Sequence, residues 1–267
     1  MTTAVSIVSL NACGLPFVRP SFSARAAEFS RRLDELAVDI VNFQEVHTYR
    51  RLALLRSHLP SLPYVSSAPG ALRQPRGGVV TFSRYPIEPS EFISFARTMR
   101  RTRLGTALVG LRAYSKGVLV SRIPDLPLTV ANVHLSPNKD GDWSPSNRYC
   151  TLLRAQLSIL RSRLDATILT GDFNLANGSG LHDEFMADGE WRDAFDGDDR
   201  PTFHAEFLPP GSSPSRIDYV LLKGGRMTVD ETRLLFEERV PIGPRNAFLS
   251  DHVGLYVRAT LNYRAVT

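Results

Sequence analysis

The sequence predicts a single domain of mixed α and β class, and three observations carry that reading. The 267 residues are 43% hydrophobic and 22% charged, with 18 glycines and 18 prolines, an ordinary globular composition at a length that suits one large domain or two small ones. Short β-branched runs end repeatedly in small or polar residues, the pattern of buried strands delivering side chains to loops. Between two of them an apolar stripe at three- and four-residue spacing writes an amphipathic helix. Neither a Gly/Ser-rich or charged linker nor an internal period interrupts the chain, so one domain is expected over residues 1–267.

Residues 5–10 read as a strand that delivers Asn11 to the stretch Asn11-Ala12-Cys13-Gly14. Beyond Ser23, the residues Ala26, Phe29, Leu33 and Leu36 share one helix face, and 40–43 is a second strand closing on Gln44-Glu45. A short helix near 52–59 precedes strands at 79–83, 106–113, 118–123 and 128–134. A long helix is expected over 145–164, with Leu153, Leu157, Leu160 and Leu164 on its buried stripe. A strand at 167–170 leads into the loop Gly171-Asp172-Phe173-Asn174, mixed loop and helix run to about Arg200, and strands follow at 217–222, 227–236 and 253–261.

Composition excludes a disordered chain, a collagen-like repeat and a disulfide-stapled miniature. Cys13 and Cys150 stand far apart with no Cys-x-x-Cys spacing, which argues against a thiolate zinc site and for a reducing compartment. No apolar run reaches the 18 or more residues of a membrane span, and the first residues carry no signal-peptide pattern; a cytoplasmic protein without a transmembrane segment is expected. The net charge of +5 biases the chain toward anionic partners, although only Lys116, Lys139 and Lys223 are lysines and arginine excess also follows from genomic base composition. Arg97, Arg100, Arg101 and Arg103 form the one dense basic cluster, beside Phe92 and Phe95; as a charge run it reads first as a solvated face.

The layout of the strand ends points to chemistry. Asn11, Glu45, His134, Asp172 and Asn174 each lie at or just past the end of an expected strand, and Asp218 lies within one. Strand ends gather at sheet edges, so a common site is physically reasonable.

Ser9-Leu10-Asn11, Phe43-Gln44-Glu45, Asn132-Val133-His134, Gly171-Asp172-Phe173-Asn174, Arg216-Ile217-Asp218-Tyr219 and Ser250-Asp251-His252, in that order, resemble the motifs of the endonuclease/exonuclease/phosphatase (DNase I-like) superfamily over about residues 5–261. Within it the chain looks most like the neutral sphingomyelinase branch, through Asn11-Ala12-Cys13-Gly14-Leu15-Pro16-Phe17, Ser83-Arg84-Tyr85-Pro86-Ile87 and Lys116-Gly117-Val118-Leu119. Motifs like Ser-Arg-Tyr-Pro-Ile also occur in nuclease and phosphatase relatives. The resemblance implies an α/β fold, a four-layer α/β/β/α sandwich of two mixed sheets with helices outside, and a site at the loop-rich edge bordered by loops 137–145 and 207–214.

Phosphoester hydrolysis needs a hard cation, a base for the attacking water, and donors that stabilise charge in the transition state. Glu45 and Asn11, with Asp251 through metal-bound water, supply oxygen ligands suited to Mg²⁺, for which Mn²⁺ is a possible substitute. By resemblance His252 is the general base oriented by Asp218, Asp172 positions the water, Asn174 donates to phosphate, and His134, protonated when phosphate binds, stabilises developing charge or assists the leaving group. Each residue also has a bland role: an Asx turn at Asp172 to Asn174, a loop cap at Asn11, an arginine pair at Glu45, a carbonyl-satisfied ring at His252. His47, His58, His182 and His204 are read only in that structural way.

The leading expectation is a Mg²⁺-dependent phosphodiesterase of sphingomyelinase or phospholipase C type, in which activated water attacks phosphorus in line to release a phosphocholine-type headgroup. The segment around Phe92, Phe95 and the arginines would then dip into an anionic interface. A nuclease acting on DNA or RNA, or a phosphatase on a small soluble phosphoester, would use the same groups. A non-catalytic binding module is disfavoured because Asp172 and His252 are both kept.

Overall fold

Alternation along a strand sorts side chains onto two faces, and in this protein the two faces find different partners. The computed structural model describes residues 2–14, 20–70, 74–101 and 115–262. Along the chain run β1 (Thr2–Asn11), α1 (Phe22–Glu35), β2 (Ile40–Gln44), α2 (Tyr49–His58), β3 (Tyr64–Ser66), β4 (Val80–Ser83), β5 (Glu91–Ser94), β6 (Gly117–Ile123) and β7 (Leu128–His134). The second half adds α3 (Cys150–Arg163), β8 (Ile168–Asp172), α4 (Gly180–Met186), β9 (Trp191–Asp193), β10 (Asp218–Lys223), β11 (Met227–Leu235), β12 (Val240–Ile242), β13 (Arg245–Ala247) and β14 (Gly254–Asn262).

The strands form two six-stranded sheets, ordered β11-β14-β1-β2-β4-β3 and β5-β6-β7-β8-β10-β9, plus the hairpin β12-β13. Both sheets are mixed: β1 and β2 pair parallel, as do β7 and β8, and the remaining pairs are antiparallel. On the first sheet Leu10, Val41, Phe43 and Phe82 face outward and meet Ala26, Phe29 and Leu33 of α1. On the second, Val118, Val133 and Leu169 meet Leu153, Leu157 and Leu160 of α3. The inner faces meet through Val5, Ile7, Ile40, Val130, Ile168, Val220 and Leu255. Helix, sheet, sheet, helix is therefore the layer order, because each sheet has a second apolar face that only a helix covers.

Toward the site the interlayer changes character. Next to the apolar patch come neutral polar groups: Asn42 donates to Thr170 and accepts from Thr81, and Gln44 donates to Ser9 and to Asn132 Oδ1. Asn132 donates in turn to the carbonyls of Phe43 and Val80, which ties its own sheet to the other one. The ionisable groups stand at the end of this gradient, at the sheet edge.

Several expectations need correction. The helix expected over 145–164 begins at Cys150, because Asn147 accepts from the Tyr149 N–H and Asp142 from the Ser144 N–H, holding the approach in side-chain-capped turns. The expected loop Gly171-Asp172 is the end of β8. The strand expected at 106–113 and the residues Leu15, Pro16, Phe17 and Arg103 lie outside the described residues. Phe95 is fully buried and so is not available to dip into a membrane interface, while half-buried Phe92 lies under the Arg76 guanidinium, 4.7 Å from it. Among the described residues no helix is long and apolar enough to cross a membrane.

Candidate active site

Strand pairing alone brings half of the site together. His134 pairs with Asp172 and Asp172 with Asp218, so three neighbouring strands present them side by side. Each lies an even number of residues from an inner-face residue, His134 from Val130, Asp172 from Ile168 and Asp218 from Val220, so all three point between the sheets. The other half arrives from the first sheet, where Asn11 pairs with Gln44, just before Glu45, and Ser9 pairs with Leu255, three residues after His252. Gly171 makes the crowding possible: its φ is 142° and a Cβ there would overlap the Val133 carbonyl.

His252 is the meeting point. Its Nδ1 lies 2.9 Å from Asp218 Oδ2, and its Nε2 lies 3.4 Å from Asn11 Nδ2 and 3.7 Å from Asp172 Oδ2. Asp218 is held by the Thr202 hydroxyl, which donates to Oδ2 at 2.6 Å while accepting from the Ile217 and Asp218 N–H groups. Phe203 packs its edge against the His252 ring at 4.9 Å. Burial would lower the His252 pKa, but Asp218 and Asp172, with the Asp218 hydrogen bond and Asp251, outweigh it and hold the imidazole well above its ordinary value.

Asp172 divides its two oxygens. Oδ1 accepts from the Asn174 N–H at 2.9 Å, which is the Asx turn, and Oδ2 accepts from Asn11 Nδ2 at 3.0 Å and faces His134 Nε2 at 3.4 Å. Its turn-forming and site-facing roles are thus both realised. Burial raises its pKa, the His252 charge opposes this, and the Asp218 charge adds to it. Asn174 gives one amide N–H to the Leu135 carbonyl at 3.2 Å and has a second donor. Burial, then the nearby Lys116, His47 and His252 charges, push the His134 imidazole well below its ordinary range.

Glu45 follows β2 with a φ of 62°, which breaks the strand's alternation, and a Cβ on Gly14 would overlap its carbonyl oxygen. Its Oε2 is buried with no hydrogen-bond partner among the described residues; the nearest cationic atom is His47 Nε2 at 3.9 Å. Burial, then Asp251, raises its pKa. A buried carboxylate oxygen without a donor is what a hard cation requires, so Glu45, with Asn11 and half-buried Asp251, fits a divalent ion. Asp172, Asp218 and His252 also offer ligand atoms within 4.8 Å of one another, but the Asp218 to His252 hydrogen bond gives that set a different use.

Sequence reading missed four contributors. Lys116 donates to the Leu135 carbonyl at 2.5 Å, and its charge reaches Glu45, His134 and Asp172; its Lys-Gly motif was a signal for a strand start only. His47 stands beside Glu45, while Thr202 and Phe203 come from a segment without any motif. Of the bordering loops, 137–145 is placed by Trp143, whose indole N–H donates to the Asn174 carbonyl.

A sandwich of two mixed sheets with a buried His–Asp pair, a second aspartate and, at the same edge, a buried glutamate with one oxygen lacking a donor defines a hydrolase of phosphoester bonds. The chain belongs to the endonuclease/exonuclease/phosphatase family, whose model matches residues 8–252. Enzymes of this family generally use a divalent metal. Similar solved structures include TDP2 of D. rerio complexed with single strand DNA product, at 18% identity and TM-score 0.69 over 97% of this chain and 100% of that one. Sphingomyelinase C from Streptomyces griseocarneus is 17% identical with TM-score 0.66 over 97% and 100%. An endonuclease/exonuclease/phosphatase family protein from Bacteroides thetaiotaomicron is 16% identical with TM-score 0.68 over 98% and 96%. At these identities the likeness establishes the fold. No curated protein sequence matches the chain significantly.

Proposed function

We propose that the chain is a Mg²⁺-dependent phosphodiesterase in which a water held at His252 Nε2 attacks phosphorus in line. The observation that carries this reading is the position of His252, bound to Asp218 at Nδ1 and open toward Asn11 and Asp172 at Nε2. Asp218 keeps the proton on Nδ1, and a divalent ion's charge near the surrounding carboxylates would offset their pull toward the imidazolium, freeing Nε2 to take a proton from water. Asn11 and Asp172 hold that water on the side facing phosphorus. Asn174 and Lys116 receive the phosphate oxygens, and His134, which gains a reason to protonate as negative charge arrives beside it, stabilises the charge that develops as the P–O bond to the leaving alcohol breaks or protonates that alkoxide. Glu45, Asn11 and, through water, Asp251 would hold a divalent ion, which would neutralise phosphate charge. Mn²⁺ suits the same oxygens.

A phosphocholine-type diester is the substrate that the sphingomyelinase-like motifs support. A nucleic-acid diester is favoured by a different observation. From the His252 ring an aromatic run leads outward through Phe203, Phe207 and Phe248, with centroids 4.9, 6.5 and 6.3 Å apart in turn. His204 stacks on Phe248 at 3.8 Å and the Arg239 guanidinium covers it at 5.0 Å. Phe207 is 40% exposed, and the run borders a cavity of about 190 Å³ that Arg245 also lines. Exposed Phe207 beside the Arg239 and Arg245 guanidinium groups offers a face on which a base can stack and charges that attract its phosphates. The hairpin β12-β13 turns Ile242 inward, which leaves no apolar tip for a membrane.

The test is a hydrolysis panel with Mg²⁺ against EDTA: sphingomyelin vesicles, single- and double-stranded DNA, RNA, bis-p-nitrophenyl phosphate and p-nitrophenyl phosphate, each with His252→Ala as control. Metal-dependent turnover of a diester that the variant loses supports the proposal, and the best substrate selects the class. Turnover of the monoester alone, or none with folded protein and bound metal, overturns it.

A further inference from the structure

We infer that Arg25 is a positioning residue for the reaction, a buried clamp that sets the distance between the Asn11 turn and the segment ending in His252. The inference rests on the phosphodiesterase reading for its kinetic consequence and on geometry for the clamp itself.

Arg25 lies on α1, one turn before Phe29 at the margin of the helix's buried face, and is 2% exposed. Among the described residues it makes four hydrogen bonds, all to backbone carbonyls at chain turns. Nε donates to Pro20 at 3.1 Å and Nη2 to Cys13 at 2.7 Å. Nη1 bridges two segments, donating to Ala12 at 3.2 Å and to Leu249 at 2.8 Å. One nitrogen thus joins the residue after Asn11 to the residue before Ser250-Asp251-His252, although 237 positions separate them (249 − 12). The Ser250 hydroxyl makes a second link between the same segments, donating to the Asn11 carbonyl at 2.5 Å.

The clamp acts on the site through one further contact. Asn11 Oδ1 accepts from the Cys13 N–H at 3.0 Å, and this turn orients the amide so that Nδ2 faces Asp172 and His252. Cys13 adopts a φ of 48°, a left-handed conformation that a cysteine holds only when its surroundings require it. Arg25 grips the carbonyls on both sides of that peptide. Loss of the grip frees Cys13, rotates the Asn11 amide and loosens the segment that carries His252.

A planar guanidinium with five donors can reach these carbonyls together; an ammonium at the end of a flexible stem cannot. Arg25→Lys therefore keeps the charge and loses the clamp. Ser250→Ala removes the second link without touching Arg25 and serves where the lysine variant folds poorly.

Two readouts test the inference on the full chain. In NMR spectra, Arg25→Lys and Ser250→Ala should shift the Asn11 side-chain amide and the His252 imidazole resonances while leaving those of remote His58 unchanged. With bis-p-nitrophenyl phosphate and Mg²⁺, kcat should fall about 10- to 100-fold in Arg25→Lys with KM within about twofold, because a small misplacement costs turnover more than binding. Unchanged Asn11 and His252 resonances in both variants overturn the clamp. Shifted resonances with wild-type kcat overturn its role in the reaction. If the wild-type enzyme hydrolyses no diester, the phosphodiesterase reading fails, and the clamp stands or falls on the resonances alone.

Discussion

His252 Nδ1 and Asp218 Oδ2 lie 2.9 Å apart, with both side chains almost wholly buried and Thr202 donating to the same carboxylate oxygen. This pair favours a proton on Nδ1 and, in the proposed mechanism, leaves Nε2 to meet water. His252→Ala should lower kcat by about 10²- to 10⁴-fold, the ordinary worth of a general base. Asp218→Asn should cost about 10²-fold or more, because an amide N–H facing Nδ1 favours the wrong tautomer. Single-turnover rates per folded enzyme check both.

Metal should stabilise the protein more as pH rises. Burial raises the folded-state pKa of Glu45 and of Asp172, and the carboxylates around His252 raise that of the imidazole against the effect of burial. A group whose pKa is raised on folding contributes stability that is complete below its unfolded pKa and lost as pH climbs through the folded value. Without metal, Tm should therefore decline from about pH 4.5 upward as Glu45 and Asp172 lose protons, and a divalent ion should reverse part of the loss by replacing the proton on Glu45. The Tm gain from Mg²⁺ should be larger at about pH 8 than at about pH 5, and Glu45→Gln should abolish it. Thermal melts at both pH values decide.

Asn132 supports two carbonyls and one amide across the sheet interface. Asn132→Ala leaves the Phe43 and Val80 carbonyls and Gln44 without that partner in a dry layer. The expected loss is about 2–4 kcal/mol, from unsatisfied buried groups at roughly 1–3 kcal/mol each, less what relaxation recovers. Urea denaturation should show a lower midpoint at an unchanged slope.

Gly171 and Gly178 both adopt positive φ, 142° and 66°, yet they should respond differently to alanine. A Cβ at Gly178 meets open space, so Gly178→Ala should cost only about 1 kcal/mol of backbone strain. At Gly171 it overlaps the Val133 carbonyl and forces β7 and β8 apart beneath His134 and Asp172. Gly171→Ala should cost more than about 3 kcal/mol, read from denaturation midpoints of the two variants.

Most of the longer elements were legible because alternation and helical spacing are local. Val5, Ile7 and the stripe of α3 announce their partners without naming them. Strands β3, β5 and β9 and the hairpin β12-β13 escaped because three or four residues are too few for a period, and their existence depends on an edge to pair with. The start of α3 was misjudged because Asn147 and Asp142 satisfy backbone donors locally and compete with the helix. Phe95 was misplaced because an aromatic residue beside arginines looks the same on a surface as over a core.

By itself the sequence determined the chemical inventory: which carboxylates, imidazoles and amides end the strands, and in what order, since those are local facts of composition and spacing. Only the tertiary structure decided their states and distances. The register of β7, β8 and β10 sets His134, Asp172 and Asp218 side by side, the packing of the two sheets closes Asn11 and His252 onto them, and burial disfavours a charge on His134 and leaves Glu45 Oε2 without a donor among the described residues. Thr202, Lys116 and Arg25 serve the site from positions that carried no such role in the sequence, because a hydrogen bond between residues far apart in the chain exists only once the layers have packed.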